Sequence, residues 1–206
     1  MNLTILSLWA NKLFRPDDPQ PFGGAELQLF LLAQELAQTH NVRVRFITRG
    51  QGPWERFEHR SLEVRKIPYR NSAGGRSVLG VLDCLLACLS APTDIFLQRG
   101  GGIETAVTAW AAQVRRKPFL FMTSSLLDVD GTHERKKGLF GLLYRYGLRR
   151  ATAVITQTQT QRDLLLQRTG RDSEVLPSSH VIPDQIPDKP RSVLWVGRCD
   201  NYKNPE

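Results

Sequence analysis

The sequence predicts an α/β fold, a Rossmann-like open parallel sheet with helices on both faces. Two observations carry that reading. Short β-rich runs alternate with longer segments of helical period along the whole chain. Most of the strand runs are apolar nearly throughout, as strands covered on both faces must be. Strands are read at residues 3–8, 42–48, 62–67, 94–97, 119–122 and 153–156, and helices at 25–38, 77–89, 103–116, 139–149 and 160–169. The clearest helix places Ile103, Ala106, Val107, Trp110, Ala111 and Val114 at a spacing that makes one buried stripe. Beyond these, Pro183, Pro187 and Pro190 remove backbone donors and mark residues 183–191 as a linker. The next run, SVLWV, is again a strand, and a lone strand cannot bury itself. The expected division is therefore a Rossmann-like domain over 1–182, the linker, and the opening of a second domain over 192–206.

With 206 residues and 41% hydrophobic content the chain is rich enough in apolar side chains to fold, and its formal net charge is +8. No run approaches the 18 to 20 or so apolar residues of a membrane span, since residues 78–89 are interrupted by Gly80 and Asp83. The first residues, MNLTILSLW, lack a basic leader and read as a strand, so a cytoplasmic location is expected, with the chain peripheral on the inner membrane face if it meets lipid at all. Cys84 and Cys88 stand four apart on an apolar helix with no histidine beside them, which points to buried inert thiols rather than a metal site.

In an open parallel sheet ligands bind beyond the carboxyl ends of the strands, so the loops there are where chemistry is sought. In the segment PFGGAEL, Gly23 and Gly24 at a helix start let backbone approach a ligand. Glu26 lies off the solvated arc of Gln28, Gln34, Glu35 and Gln38, and is expected to face the cleft or cap the loop. In QRGGGIET, a phosphate cradle and a plain permissive turn are both readings of Gly100, Gly101 and Gly102; neither GxGxxG nor a P-loop is satisfied. Arg99, at the strand's end, is the more specific anion candidate. The loop TSSLLDVDGTH combines Ser124, Ser125, Asp128, Asp130 and His133, enough for acid or base work on a sugar hydroxyl, although the same residues also make an ordinary capped turn with His133 on the surface. No downstream glutamate completes a calcium loop. In VGRCDNYKN, Arg198 and Lys203 suit a diphosphate.

Charge is uneven. Residues 131–150 hold Arg135, Lys136, Lys137, Arg145, Arg149 and Arg150 against Glu134 alone, interleaved with Leu139, Phe140, Leu142, Leu143, Tyr144 and Tyr146. This segment could rest on an anionic membrane surface or meet an acidic acceptor; equally, its apolar arc could pack on the sheet with Arg145 and Arg149 in water. No helix-turn-helix, zinc or RNA-binding signature accompanies the charge, so nucleic acid is not the expected partner.

Taken together, FGGAEL, the helix end LAQELAQTH with the strand VRVRFIT, RRATAVITQTQTQRDLL, HVIP and LWVGRCDNYKNPE resemble, in order, the N-terminal half of family 4 (group 1) glycosyltransferases of the two-domain GT-B fold. The resemblance implies an N-terminal, acceptor-side domain, with the nucleotide sugar held by a C-terminal one. It also implies transfer with retained anomeric configuration and neither metal nor other cofactor, the nucleotide diphosphate sugar being the donor substrate and a glycan or glycolipid the acceptor. By position, Gly23 and Gly24 look like the family's glycine loop, Arg198 and Lys203 like its diphosphate-binding pair, and Thr158 stands where the family often has a serine at a helix start. Many members carry a histidine just after the strand that here precedes Ser124 and Ser125. A serine, Asp128, Asp130 or His133 is expected to substitute, or the role is absent. The paired-glutamate motif of the second domain would lie beyond Glu206, so residues 1–206 alone are expected not to catalyse transfer. Two other readings remain: a non-catalytic sugar- or nucleotide-binding module, and a dinucleotide-dependent oxidoreductase that lacks its glycine fingerprint.

Overall fold

The computed structural model describes residues 1–69, 78–136 and 138–178. Strands β1 (Asn2–Leu6), β2 (Arg43–Gly50), β3 (Glu55–His59), β4 (Leu62–Pro68), β5 (Ile95–Arg99), β6 (Phe119–Met122), β7 (Ala153–Thr156) and β8 (Glu174–Val175) form one sheet in the order β3-β4-β2-β1-β5-β6-β7-β8. Every neighbouring pair is parallel except β3 with β4. Helices α1 (Asn11–Phe14), α2 (Gly24–Thr39), α3 (Val78–Ser90), α4 (Ile103–Arg115), α5 (Thr132–Arg135), α6 (Leu139–Arg150) and α7 (Gln159–Thr169) connect the strands. All six strands and five helices expected from the sequence are present, with ends displaced by at most two residues.

The addition is at one edge, where β3 and β4 make an antiparallel hairpin. Its two turn residues, Arg60 and Ser61, take left-handed φ of 47° and 65°. Such a turn normally advertises itself with Asn or Gly, which accept positive φ at little cost, and here neither is present. Between β2 and β4 the hairpin stands where a doubly wound sheet would place a crossover helix.

Two apolar clusters flank the sheet. On one, Phe14 of α1 and Leu29, Phe30 and Ala33 of α2 pack with Phe46, Leu62 and Val64 of the strands. On the other, Cys84, Ala87 and Cys88 of α3, Val107, Ala111 and Ala112 of α4, Phe140, Tyr144 and Leu148 of α6, and Leu165 of α7 meet Ile47, Phe96, Phe119 and Phe121. Both cysteines are buried thiols; burial pushes that of Cys84 up to about 12, which keeps it in the unreactive protonated form at neutral pH.

The stripe expected on α4 needs correction. Ala106, Val107 and Ala111 are buried, but Trp110 and Val114 are 43% and 53% exposed. Their places in the core are taken by Thr105, Thr108, Ala109 and Ala112. The reason is close helix packing. α4 is sandwiched between α3 and α6, and its small residues let the neighbours approach: a Cβ on Gly147 of α6 would lie 2.6 Å from the Thr105 carbonyl carbon. Large side chains fit only on the outward side. The linker and second-domain expectations, residues 183–206, fall outside the described residues.

Candidate functional site

The chain runs from β1 outward through β2 to β4, returns across the sheet through α3 to β5, and then continues the other way. The direction therefore reverses between β1 and β5, and a crevice beyond the carboxyl ends is expected at such a point. A cleft of about 220 Å³ opens there. Its walls come from Ser7 to Trp9 after β1, Ala25 and Glu26 at the start of α2, Gln98 to Gly101 at the end of β5, and Ser124, Ser125, Asp128 and His133 after β6.

Asp128 organises one wall. It is 2% exposed and closes a 3-10 turn, Leu126–Asp128. Its Oδ2 accepts from Ser124 N at 2.6 Å, Ser124 Oγ at 2.9 Å and Ser125 N at 3.0 Å. Its Oδ1 accepts from Gly101 N at 2.7 Å and stands 3.3 Å from His133 Nε2. Burial would raise the carboxyl pKa, but the hydrogen bonds from His133, Ser124 and Ser125 outweigh it and hold the group below its ordinary value. Asp128 is thus an anion surrounded by donors, with Oδ1 turned to His133.

The imidazole is held on its other sides by Tyr144, whose ring meets it edge-on at 5.2 Å, and by Phe140 at 5.8 Å. Tyr144 in turn donates its hydroxyl to the Asp128 carbonyl at 2.6 Å. With Nε2 turned to a carboxylate, the neutral ring carries its proton there and leaves the lone pair on Nδ1. That Nδ1 is buried with no partner among the described residues.

The glycine loop resolves into structure rather than a phosphate cradle. Gly101 N–H is occupied by the protein's own carboxylate, Asp128, and Gly102 N–H by Thr105 Oγ1 at 3.3 Å. Gly101 is a close-approach residue: a Cβ there would sit 2.4 Å from His133 Cδ2 and 2.7 Å from Asp128 Oδ1. Arg99 faces the same cleft, its Nε donating to the Thr123 carbonyl at 3.2 Å and its guanidinium to Ser178 Oγ at 3.1 Å. Burial pulls its pKa below the ordinary arginine value, while the Glu26 and Asp128 charges act in the opposite direction. It is a cation in the cleft lining, acted on by the Glu26 and Asp128 charges.

Gly23 and Gly24 open α2 beside the cleft, but Ala25 and Glu26 line it. Glu26 meets both expectations at once, since its Oε2 also accepts from Gly23 N at 2.8 Å and caps the helix. Asp130 stands apart from the cleft lining, its Oδ1 accepting from Thr132 N at 2.7 Å. Thr158 is the N-cap of α7, accepting from Gln161 N at 3.2 Å, and does not line the cleft. Arg198 and Lys203 fall outside the described residues. Sequence reading missed Trp9, Gln98 and Glu104, which also line the cleft. Trp9 could have been found by extending the search of strand ends to the first one, since it lies three residues past Leu6.

A parallel sheet with helices on both faces and a polar cleft at its switch point is the architecture of one half of a GT-B enzyme. The chain belongs to the glycosyl transferase 4-like domain family, whose model matches residues 23–178. Comparison with the curated proteins finds no match. Among solved structures the chain is similar to UDP-GlcNAc 2-epimerase from Methanocaldococcus jannaschii (TM-score 0.55, 10% identity, 86% of this chain and 45% of that one). It is also similar to the S. aureus MnaA–UDP co-structure (TM-score 0.55, 12% identity, 85% and 44%) and to UDP-GlcNAc 2-epimerase from Neisseria meningitidis bound to UDP-GlcNAc (TM-score 0.54, 11% identity, 84% and 45%). The chain spans less than half the length of these structures, and at such identities the likeness is one of fold.

Proposed function

We propose that this chain is the acceptor-side half of a retaining glycosyltransferase that moves a hexose from a nucleotide diphosphate sugar to a hydroxyl of a glycan or glycolipid. The observation that carries the reading is the Asp128–His133 pair lining the switch-point cleft. Family membership supports sugar transfer, and the fold shared with structures solved with UDP and UDP-GlcNAc fits a nucleotide sugar donor. In this mechanism the His133 imidazole accepts the proton of the acceptor hydroxyl as that oxygen bonds to the anomeric carbon on the same face from which the nucleoside diphosphate departs, so that the configuration is retained. Asp128 holds the ring in the competent tautomer and stabilises the imidazolium that forms. Arg198 and Lys203 take the departing charge, and Arg99 with Glu26 orients the sugar hydroxyls. His133 thereby fills the role that Ser124 and Ser125, standing in the family's histidine region, leave open. No metal or other cofactor is assigned a part, and the site of action is the cytoplasm.

The test is release of nucleoside diphosphate by the gene product at its natural length, with UDP-, GDP- and ADP-sugars and glycan acceptors. Turnover is expected with one donor class, and His133→Gln should lower kcat by about 100-fold while leaving the donor KM nearly unchanged. No release with any donor would return the chain to a binding module. Full activity in His133→Gln would remove the histidine from the chemistry.

A further inference from the structure

Helix α3 carries no charged side chain on its outward surface, which is rare for a helix at the edge of a layer. Its charged residue, Asp83, is buried, and Val78, Leu79, Leu82 and Leu86 face outward. On α4 the outward positions include Trp110 and Val114, and on α6 Leu139 and Leu142; all of these apolar side chains are 43% to 76% exposed. The three helices are adjacent, with α4 in the middle. Arg115, near the end of α4, donates to the Ala91 carbonyl just past α3 at 3.0 Å, and Tyr146 of α6 donates to Gln113 of α4 at 2.8 Å. The outward faces therefore lie side by side.

Its charge has one sign. Arg145, Arg149 and Arg150 are exposed on α6, Arg116 ends α4, and Arg135 and Lys136 precede α6; Arg150 lies over the Tyr146 ring at 5.9 Å. The only acids on the three helices are Asp83, buried, and Glu104, which lines the cleft. Glu134, before α6, is taken by Arg168 at 2.7 Å. Apolar surface of this extent, rimmed by cations, marks an interaction site. Two copies of the face pressed together would set cations against cations, so a second copy of this chain is a poor occupant. Leucine, valine and tryptophan projecting from a helix layer beside arginine and lysine match a headgroup boundary with anionic lipid below it.

We propose that the outward face of α3, α4 and α6 docks on an anionic bilayer surface, with Leu82, Leu86 and Trp110 entering the interface and Arg145 and Arg149 meeting lipid phosphates. The proposal is independent of the transfer reaction, because Leu82, Leu86, Trp110, Arg145 and Arg149 are not among the residues that line the cleft. Such docking would bring a lipid-borne acceptor to the protein without a spanning helix; among the described residues no helix is long and apolar enough to cross a membrane.

The test is co-sedimentation of the purified chain with vesicles of phosphatidylcholine alone and of phosphatidylcholine mixed equally with phosphatidylglycerol. Binding is expected to the mixed vesicles only, weakened about tenfold by Leu82→Ser with Leu86→Ser, and by a similar factor by Arg145→Gln with Arg149→Gln. All four side chains are exposed, and circular dichroism checks that each variant stays folded. Equal binding by the variants, no binding to mixed vesicles, or a concentration-dependent dimer abolished by the leucine pair would each overturn the proposal.

Discussion

Asp128→Asn is expected to lower the free energy of unfolding by about 3 kcal/mol, read by urea titration at neutral pH. The carboxylate accepts from Ser124 N, Ser124 Oγ, Ser125 N and Gly101 N and is in contact with His133. An amide in its place presents two donors to a wall made of donors, so whichever way it turns, backbone N–H groups lose their acceptor in a largely dry site. The pH dependence has a definite sign. The folded pKa of Asp128 is lowered from the ordinary 3.8, so its stabilising contribution is complete above that value and is lost as pH falls through the folded pKa. The parent should therefore lose stability on strong acidification more steeply than Asp128→Asn does. A variant within about 1 kcal/mol of the parent, with the same acid limb, would show that water substitutes freely for the carboxylate. Turnover should fall as well, since the histidine tautomer is then unsupported.

Gly147→Ala is expected to cost a similar amount, about 3 kcal/mol, by a different route. The added Cβ would meet the Thr105 carbonyl carbon at 2.6 Å, its oxygen at 2.7 Å and Ala106 N at 2.8 Å, all backbone atoms of α4 that have no rotamer to change. Relief requires α6 to move away from α4, which opens gaps around Tyr144 and Leu148 in the core. In an unconstrained helix the same change would stabilise by about 1 kcal/mol, so the sign of the result reports the close approach directly. Gly24→Ala is the matched control: nothing lies within 4 Å of a Cβ there, and stability should hold or rise slightly. A stable Gly147→Ala variant would be incompatible with this helix contact.

The layered sheet was legible because its signals are local. Apolar runs such as FLFM and AVIT and the helical repeat over residues 139–149 each declare themselves within a few residues. The hairpin of β3 and β4 escaped because Glu55–His59 alternates polar residues with a single Phe57, and its turn is built from Arg60 and Ser61 rather than the usual turn formers. The outward placement of Trp110 was equally hidden: periodicity states which residues share a face, but the size limit set by Gly147 and Thr105 decides which face can be buried.

Along the chain the candidate residues of the site were in view one at a time, because residues that follow strands in a parallel sheet gather at one edge. Arg99, Ser124, Ser125, Asp128 and His133 could all be named that way. What each does was not in view. Asp130 is two residues from Asp128 and chemically identical, yet one caps a local turn while the other is buried against Gly101 and His133. That difference arises from a contact between loops more than twenty residues apart, and from the missing Cβ at Gly101 that allows it. Composition and periodicity set the class of fold, since they reflect which faces must leave water. The roles of individual carboxylates and cations depend on which distant backbone donors converge on them, and that is settled only when the strands are packed side by side.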